Sequence, residues 1–563
     1  MTLFDLCELF IFILAFSLLT IVIGSYMKTV FTGQPSSWTH PFLWLENLSY
    51  RLASINPKIE MNLSTYLKSL CLFNFLGFMA VFFLMIAQGI LPLNTENFPG
   101  TSFHLAFNTA ASFMTNSNWQ SYTPESTLSY LTQMLGLSVQ NFLSAATGLT
   151  VLVALIRGIK AHKVDTIGNF YVDLVRSTIY IFLPLSLIVA TFLLFEGVIQ
   201  TFSPYLEVIT LEGFKQIIPF GSVASQVAIK QIGTNGGGFF GANSTHPFEN
   251  PTKLSNLLES LCIFLIPSAS IYFYGLMTGK KKHILVLYSV VIFLFTIGLL
   301  CSISGEYLYG RTFNGLQIME GKEVRFGLFN SIFWSTATTA TSNGSINAAM
   351  DSLSPITSGI ALFNMMVGEL IFGGVGVGLC SLIIFVLLTV FLCGLMVGRT
   401  PEYLGKKIEA HEMQWITVAI LVPAALILIG TAITTILPLT TTNLKDMGPH
   451  GFTTILYAFT SAAANNGSAF VGLDANTPYY NIVLGVIMLL TRFTIIISSL
   501  NLAALLAKKK SVPPSIGTFS TNSPLFALLL LSVILIVGAL TFFPALALGP
   551  IAEQILLMEH RYF

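Results

Sequence analysis

The sequence is poor in charge: Asp, Glu, Lys and Arg together make up 9% of its 563 residues. A soluble protein of this length carries roughly a quarter of such residues, so the scarcity excludes an ordinary soluble protein. The net charge of +1 gives no reason to expect a nucleic-acid partner. Hydrophobic residues, by contrast, make up 54% of the chain. The composition therefore predicts a polytopic membrane protein.

The sequence also lacks the motifs of several kinds of site. Its six cysteines form no Cys-x-x-Cys pair, which argues against a metal site or a disulfide framework and favours free thiols packed among helices. The pair His411-Glu412 lacks the second histidine of a zinc-protease motif. No GxxxxGK[ST] loop occurs, and no polar segment is long enough for a domain that binds ATP. We therefore predict that the chain is not an enzyme on its own.

Long apolar runs are abundant, and a run of about 20 mainly apolar residues can span a bilayer. This rule gives ten candidate spans: 9–28, 65–90, 128–156, 169–197, 255–278, 284–303, 358–396, 415–438, 480–507 and 524–546. The seventh is too long for one straight span. Its stretch FGGVGVGLC (372–380) carries glycines that we predict weaken or break the helix in mid-membrane.

The basic residues orient these spans. Clusters of Lys and Arg lie at 157–163, 280–282, 399–407 and 508–510. The positive-inside rule predicts that these loops are cytoplasmic. Asp5 and Glu8 precede the first apolar run and Lys28 follows it, which favours a retained helix with an external N-terminus over a signal peptide. Ten crossings then place both termini outside.

A polar tripeptide centred on Asn occurs four times: TNS (115–117), TNG (234–236), SNG (342–344) and NNG (465–467). Each copy comes after a short stretch rich in Ala, Ser, Thr and Phe, and each precedes one span and a basic cluster. The repetition predicts an all-α protein with four pseudo-fourfold helix–pore-loop–helix repeats and one extra helix at each end. We divide the chain into an N-terminal helix with its loop (1–63), four repeats (64–165, 166–282, 283–410 and 411–510) and a C-terminal helix (511–563).

The repeated motif suits a cation filter. Irregular backbone at membrane depth persists only where it is buried in protein or lines a wet cavity. Rings of backbone carbonyl oxygens can replace the hydration shell of potassium. Gly and Asn tolerate the positive φ of such turns, and the short helix before each turn points its negative C-terminal end at the ion. The alternative is that these are ordinary Asn-Gly turns in external loops.

Three single residues are further candidates. Arg492 lies deep in the ninth span, where a charge is costly, and is predicted either to form a positive barrier below the filter or to pack against exposed helix carbonyls. Glu369 is the acidic residue deepest in a span. It either attracts the cation as it leaves the filter or pairs with Arg492. Gln120 lies just after the first filter segment. It is predicted to make a contact at the external rim of the filter or a contact that couples ion binding to transport.

Two sets of residues near the seventh span are weaker candidates. A gating loop, or alternatively close helix packing, is predicted at Gly373, Gly374, Gly376 and Gly378. Arg399, Lys406 and Lys407 either dock a partner subunit or only anchor a cytoplasmic loop.

Four longer stretches resemble signature stretches of the KdpA family: GTNGGGFFGANSTHPFENPT (233–252), GRTPEYLGKKIE (398–409), GPHGF (448–452) and NNGSAF (465–470). Members of this family are the potassium-translocating subunits of the bacterial Kdp potassium-transporting ATPase, and the likeness runs from the first span to the last. It implies K⁺ as the transported ion, a bacterial cytoplasmic membrane, and a complex with a P-type ATPase subunit (KdpB), KdpC and the one-helix KdpF. It also implies that the ion leaves the filter sideways, through a tunnel toward the ATPase subunit.

The resemblance implies four filter segments: Met114, Thr115 and Asn116; Gly233, Thr234, Asn235 and Gly236; Thr341, Ser342, Asn343 and Gly344; and Asn465, Asn466 and Gly467. In the first segment Ser117 stands where the others have Gly, so we expect that turn to be made by Asn or Ser. The third segment lacks the Cys before Gly that many relatives are expected to have. A self-sufficient potassium transporter or channel of the Trk/Ktr type is the alternative function. The long motif matches and the two extra helices favour the pump subunit.

Overall fold

The computed structural model of the chain describes residues 3–34, 37–308, 312–313, 316–317, 319–511 and 520–559. Within these ranges most of the chain is helical. The α-helices are α1 (Leu3–Thr32), α2 (Leu43–Leu52), α3 (Leu63–Ala87), α4 (Phe103–Met114), α5 (Val139–Lys160), α6 (Phe170–Arg176), α7 (Leu183–Phe195), α8 (Val223–Ile232), α9 (Lys253–Thr278), α10 (Lys281–Leu308), α11 (Leu328–Ala340), α12 (Pro355–Met366), α13 (Val377–Met396), α14 (Ala410–Ile436), α15 (Pro438–Thr441), α16 (Gly448–Ala463), α17 (Pro478–Lys508), α18 (Pro524–Leu546) and α19 (Ala552–Met558).

The remaining regular elements are short. There are three π-helical turns. Ser177–Phe182 joins α6 to α7, Ala547–Ile551 joins α18 to α19, and Thr132–Ser138 extends α5 at its start. Three two-stranded antiparallel hairpins lie in the connections. Their strands are β1 (Leu206–Ile209) with β2 (Lys215–Ile218), β3 (Thr312–Phe313) with β4 (Leu316–Gln317), and β5 (Glu402–Tyr403) with β6 (Lys406–Lys407).

Ten helices of the described chain are long and apolar enough to cross a membrane, which confirms the predicted number. They cover Leu3–Thr32, Leu63–Ile90, Thr132–Lys160, Phe170–Phe195, Lys253–Thr278, Lys281–Leu308, Val377–Met396, Ala410–Ile436, Pro478–Lys508 and Pro524–Met558. The predicted seventh span (358–396) is two helices: α12 ends at Met366 and α13 begins at Val377. The glycine-rich stretch between them is therefore the expected break, because glycine is a poor helix former.

Polar residues fix where several helices begin. The side chains of Asn62, Ser354, Thr477 and Ser523 each accept a hydrogen bond from the backbone N–H three residues later. Thr252 and Ser255 form a reciprocal capping box at the start of α9. These bonds satisfy N–H groups that the first helical turn leaves without a partner. The caps Thr252 and Thr477 thus fix where the span after the pore loop begins in the second and fourth repeats.

Four short helices lie at the centre of the bundle: α4, α8, α11 and α16. Each of them precedes one of the four Asn-centred tripeptides. All residues of α11 and all but one of α8 are buried, although both carry Ser, Thr, Gln or Lys. Such polar helices can be buried only where most of their side chains find partners, and hydrogen bonds within and between the repeats supply most of these, although the Gln226 side-chain oxygen and the Ser335 hydroxyl have no partner among the described residues. We call these four the pore helices.

The two extra helices pack on the outside of the repeats. Helix α1 lies along α9, where Thr20 and Ser268 share a hydrogen bond of 3.0 Å and Gly24 faces the backbone of Ala269. A Cβ on Gly24 would lie 2.8 Å from the Ala269 carbonyl oxygen, so this glycine permits the close approach. Helix α18 packs on α10 and α13. The boundaries predicted for the repeats remain a prediction.

Candidate functional site

The four pore helices end in the same way. The N–H of the residue after each helix bonds the carbonyl four residues earlier, at 2.8–3.1 Å, and these residues are Thr115, Gly233, Thr341 and Ala464. The next residue of each repeat is left-handed, and these residues are Asn116, Thr234, Ser342 and Asn465, with φ of 69°, 47°, 51° and 49°. The four turns are thus equivalent, although none of the left-handed positions carries glycine, the residue that adopts this conformation most readily.

This equivalence corrects the register of the first segment. In three repeats the residue after the left-handed position donates its N–H to the carbonyl five residues earlier: Asn235 to Lys230, Asn343 to Thr338 and Asn466 to Ser461, at 2.8–3.0 Å. In the first repeat the matching bond runs from Ser117 to Ser112, at 3.0 Å. Ser117 therefore corresponds to Asn235, and Asn118 (φ 52°) stands where the other repeats have Gly.

The predicted list of filter residues changes accordingly. Met114 is the last residue of α4 and precedes the turn, so it does not match Gly233. Ser117 and Asn118 were missed in the first repeat, and Ala464 was missed in the fourth. The signal for Asn118 was present in the sequence, because Asn is the residue after Gly that best tolerates a left-handed backbone. No sequence signal identified Ala464.

The backbones of the four repeats meet around one point. A Cβ built on Gly236 would lie 2.9 Å from the carbonyl oxygens of Ser117 and Asn466 and 3.0 Å from that of Asn343. These are one oxygen from each of the other three repeats. A Cβ on Gly344 would lie 1.8 Å from the Asn466 oxygen. The four turns thus enclose a narrow axis toward which carbonyl oxygens point, and a side chain has no room at Gly236 or Gly344.

Side chains tie each quarter to its neighbour. The Asn116 amide donates to the Thr234 carbonyl at 2.9 Å and so joins the first repeat to the second. Asn343 donates to the Lys230 carbonyl at 3.3 Å and joins the third repeat to the second. The other two joints are Asn466 to the Thr338 carbonyl and Asn465 to the Ser117 hydroxyl, each at 2.8 Å. The turns therefore form a closed ring of hydrogen bonds between buried residues.

Gln120 lies at the rim of this ring. Its side-chain oxygen accepts a hydrogen bond of 2.9 Å from the N–H of Gly238, two residues beyond the second filter segment. Its amide nitrogen lies 3.4 Å from the Tyr122 hydroxyl. Gln120 thus connects the first repeat to the second just outside the turns.

The glycine-rich break of the seventh span packs directly against the filter turns. We call residues 367–376 the subfilter loop. Its Val375 N–H donates to the Thr234 hydroxyl at 2.9 Å, and its Gly373 N–H donates to the Ala340 carbonyl at 3.0 Å. Gly368, Gly373 and Gly376 have φ of 86°, 67° and 76°, and Gly374 also lies in the loop, whereas Gly378 is inside α13. Only glycine adopts the first three conformations without strain.

Two ionisable residues flank the subfilter loop. Glu369 is 2% exposed, and neither carboxylate oxygen makes a hydrogen bond of good geometry to the described residues, although Gly374 and Ser342 lie beside it. Arg492 is 4% exposed, and its guanidinium faces Gly148 of α5. The two charges interact through space, yet the described chain contains no ion pair between them. The structure thus disfavours the predicted direct pairing of Glu369 with Arg492.

A cavity of about 50 Å³ opens beside Glu369. It extends from Ala464, in the fourth filter turn, toward Phe385 of α13 and Thr541 of α18. Most of its wall is apolar, and its lining residues come from the subfilter loop, from the fourth filter turn and from α12, α13, α14, α16, α17 and α18. A space of this size is large enough to hold water.

The three basic residues after the seventh span have different environments. Arg399 and Lys407 are exposed. Lys406 is 1% exposed, and its amine donates to the carbonyls of Gly158, at 2.9 Å, and Leu506, at 2.7 Å, and also to that of Ala161. Burial and then the charge of Lys509 lower the pKa of Lys406 to about 8. Lys406 thus caps the ends of α5 and α17, which favours its alternative role of anchoring the cytoplasmic loop over docking of a partner.

Comparison with known proteins gives a consistent result. A model of the family described as potassium-transporting ATPase A subunit (KdpA) matches residues 10–555. Potassium-binding subunits of potassium-transporting ATPases are similar over the whole length: 49% identity with that of Leptospira interrogans serovar copenhageni over 99% of both chains, and 50% with that of Pseudomonas aeruginosa over 96% of this chain and 98% of that one. The solved potassium transporter TrkH of Vibrio parahaemolyticus has a similar fold, with a TM-score of 0.51 and 14% identity over 86% of this chain and 96% of that one.

Proposed function

Because the chain belongs to the family of potassium-transporting ATPase A subunits, we propose that it is the potassium-binding, channel-like subunit of an ATP-driven potassium uptake pump. It binds external K⁺ between the four filter turns and passes the ion to a separate ATPase subunit. The observation that carries this proposal is the convergence of carbonyl oxygens from Ser117, Asn343 and Asn466 around Gly236.

The filter selects by replacing water with carbonyl oxygens. An alkali cation gives up its hydration shell only if the protein supplies oxygens in a similar arrangement. The four pore helices point their C-terminal ends toward the same axis, which adds negative potential without a carboxylate. The closed ring of side-chain bonds resists collapse around a smaller ion. The four quarters are not identical, because the Asn116 amide already bonds the Thr234 carbonyl and competes with the ion for that oxygen.

The path below the filter is proposed to turn sideways. The subfilter loop lies under the second and third turns, and Arg492 lies beyond it on α17, so a straight exit meets packed backbone and then a positive charge. The cavity beside Glu369 offers the ion a lateral route, and a buried carboxylate that makes no hydrogen bond of good geometry to the described residues supplies attraction there. Glu369 is the attracting group and Arg492 is the barrier. Gly373, Gly374 and Gly376 supply the flexibility of a gate.

Energy for uptake comes from a partner. The family name describes one subunit of a potassium-transporting ATPase, and this chain is its non-catalytic, ion-binding part. We propose that it works with a P-type ATPase subunit like KdpB, a KdpC-like subunit and a one-helix KdpF-like subunit. Arg399 and Lys407 are exposed and therefore available to dock these partners on the cytoplasmic side.

The protein is a multi-pass membrane protein. The positive-inside rule and the family support the bacterial cytoplasmic membrane, with the four basic clusters inside and the filter mouth outside. Both termini are then proposed to be external. The terminal residues 1–2 and 560–563 themselves lie outside the described ranges.

Uptake of rubidium isotope in bacterial cells without their own potassium systems tests this function. The chain is expressed alone, and then with its ATPase, KdpC-like and small subunits. We expect uptake only with the partners, and its loss on ATP depletion. Uptake by the chain alone would instead favour a self-sufficient Trk-like transporter, for which TrkH supplies a similar fold and no more.

A further inference from the structure

Behind the second filter turn lies a buried lysine that has no part in the proposed ion path. Lys230 is in the pore helix α8, and its side chain is 1% exposed. Its amine donates to the Gly237 carbonyl at 3.2 Å and to the Asn243 side-chain oxygen at 2.7 Å, and it forms an ion pair with Glu249. All three ammonium hydrogens thus have an acceptor, as burial of such a charge requires.

The equivalent position in the other three repeats carries a hydroxyl. The residues are Ser112, Thr338 and Ser461, each five positions before the residue that matches Asn235. The Ser112 hydroxyl donates to the Trp119 carbonyl at 3.0 Å, which is the counterpart of the bond from Lys230 to Gly237. The Ser461 hydroxyl accepts from the Gly467 N–H at 3.0 Å. A short, neutral side chain therefore lies behind the filter turn in the first, third and fourth repeats, whereas a charged side chain lies behind the turn in the second repeat.

The second quarter also has a distinctive segment after its turn. Residues 238–250, which we call the outer lobe, contain no α-helix and only one short 3₁₀ turn. Glu249 closes this lobe, because one carboxylate oxygen accepts from the Phe240 N–H at 2.9 Å while the other holds Lys230. Asn243 reaches back and also donates to the Gly237 carbonyl. Lys230 and Glu249 thus bind the outer lobe to the filter backbone as one unit.

These bonds turn one carbonyl away from the ion path. The Gly237 oxygen is occupied by Lys230 and Asn243, and Gly237 has the left-handed φ of 72°, so the second segment ends at Gly236. Gly236 is the residue around which the other three carbonyls converge. A small displacement of Gly237 would therefore move Gly236 on the axis.

We infer that Lys230 is a positioning residue for ion selectivity, and that Glu249 cancels its charge so that the filter keeps its affinity for K⁺. The lysine acts through Gly237 and does not touch the ion. This inference rests on the proposed function. It separates two roles: the position of the Lys230 amine determines which ions fit, and the Glu249 charge determines how tightly any cation binds.

Two variants of the assembled complex test the two roles. Lys230→Met with Glu249→Gln removes the amine and leaves no unpaired charge. Glu249→Gln alone keeps the amine, and with it the bonds to Gly237 and Asn243, but removes the countercharge. For each we measure the KM of rubidium uptake and the ammonium concentration that halves uptake, both scaled to the amount of complex in the membrane.

We expect the double variant to lose at least tenfold in discrimination between rubidium and ammonium. We expect Glu249→Gln to raise the KM about tenfold and to retain its discrimination. Three results would overturn the inference: the same change of KM and discrimination in both variants, no change in either variant, or failure of only the double variant to assemble. A lysine with a merely structural role would produce those results. Gly236→Ala in the same assay reports separately on the filter: wild-type uptake by that variant would refute the proposed function instead.

Discussion

Replacement of Gly236 by alanine places a methyl group in the proposed ion path. The backbone at Gly236 is not left-handed, so alanine can adopt it and the effect comes from the methyl group alone. That carbon would lie 2.9–3.0 Å from three carbonyl oxygens, closer than carbon and oxygen pack. Overpacking of this kind costs about 1–3 kcal/mol. Since each 1.4 kcal/mol is tenfold in affinity, we expect the KM for rubidium to rise roughly 5- to 150-fold. Aspartate at this position adds a charge and has a larger effect.

The assay is rubidium uptake by the whole complex in cells without other potassium systems. Gly136→Ala is the matched control, because a Cβ on that buried glycine would make only an ordinary contact of 3.6 Å with Leu84. The control should transport like wild type. An unchanged KM for assembled Gly236→Ala would refute the reasoning, since three carbonyls cannot both coordinate an ion and surround a methyl group.

Three further predictions concern residues outside the filter. Arg492→Gln should permit rubidium efflux from ATP-depleted cells with an unchanged KM for uptake; wild-type retention would make Arg492 a packing residue. Lys406→Met should destabilise the purified protein by about 1–3 kcal/mol in thermal denaturation, because three helix-end carbonyls lose their donor, whereas exposed Lys407→Met should not. Burial opposes protonation of His450, but its hydrogen bond with Glu553 and nearby carboxylates outweigh burial and raise its pKa. The stability difference between wild type and His450→Gln should therefore be full below pH 6.5 and shrink as the pH rises through the raised pKa; a constant difference from pH 5.5 to 8.5 would contradict this.

The membrane-spanning helices were largely predictable because few kinds of backbone structure can span a bilayer. Ten apolar runs gave ten spans, and the polar caps Asn62 and Thr477 start two of them two residues earlier than predicted. The larger errors are the start of the seventh span, at Val377, and the end of the tenth, at Met558. The break in the seventh span was predictable from its glycines. The sequence did not predict that the loop from 367 to 376 would pack against Thr234, because that contact joins residues more than a hundred positions apart.

The register of the first filter segment was harder to predict. Matching the letters of TNS to TNG put Asn116 opposite Asn235, whereas the backbone bonds put Ser117 there. Both alignments contain an Asn beside a small residue, so residue type alone could not choose between them. The number of residues after the pore helix decides the register, and the exact end of a helix is what sequence patterns predict least well.

The sequence also could not predict which of two neighbouring charged residues is buried. Lys406 and Lys407 are neighbours with the same chemistry, yet one is buried under three carbonyls and the other is exposed. A two-residue strand, β6, directs their side chains to opposite faces, and only the folded chain shows which face is covered.

The ring of filter turns is closed by the bond from Asn465 to Ser117, between residues 348 positions apart. A ribosome must therefore complete nearly the whole chain before the fourth turn can meet the first. A half-made protein in the membrane holds only two or three of the four turns, so its ring stays open. Building the ring from one polypeptide thus links closure of the filter to a late stage of synthesis.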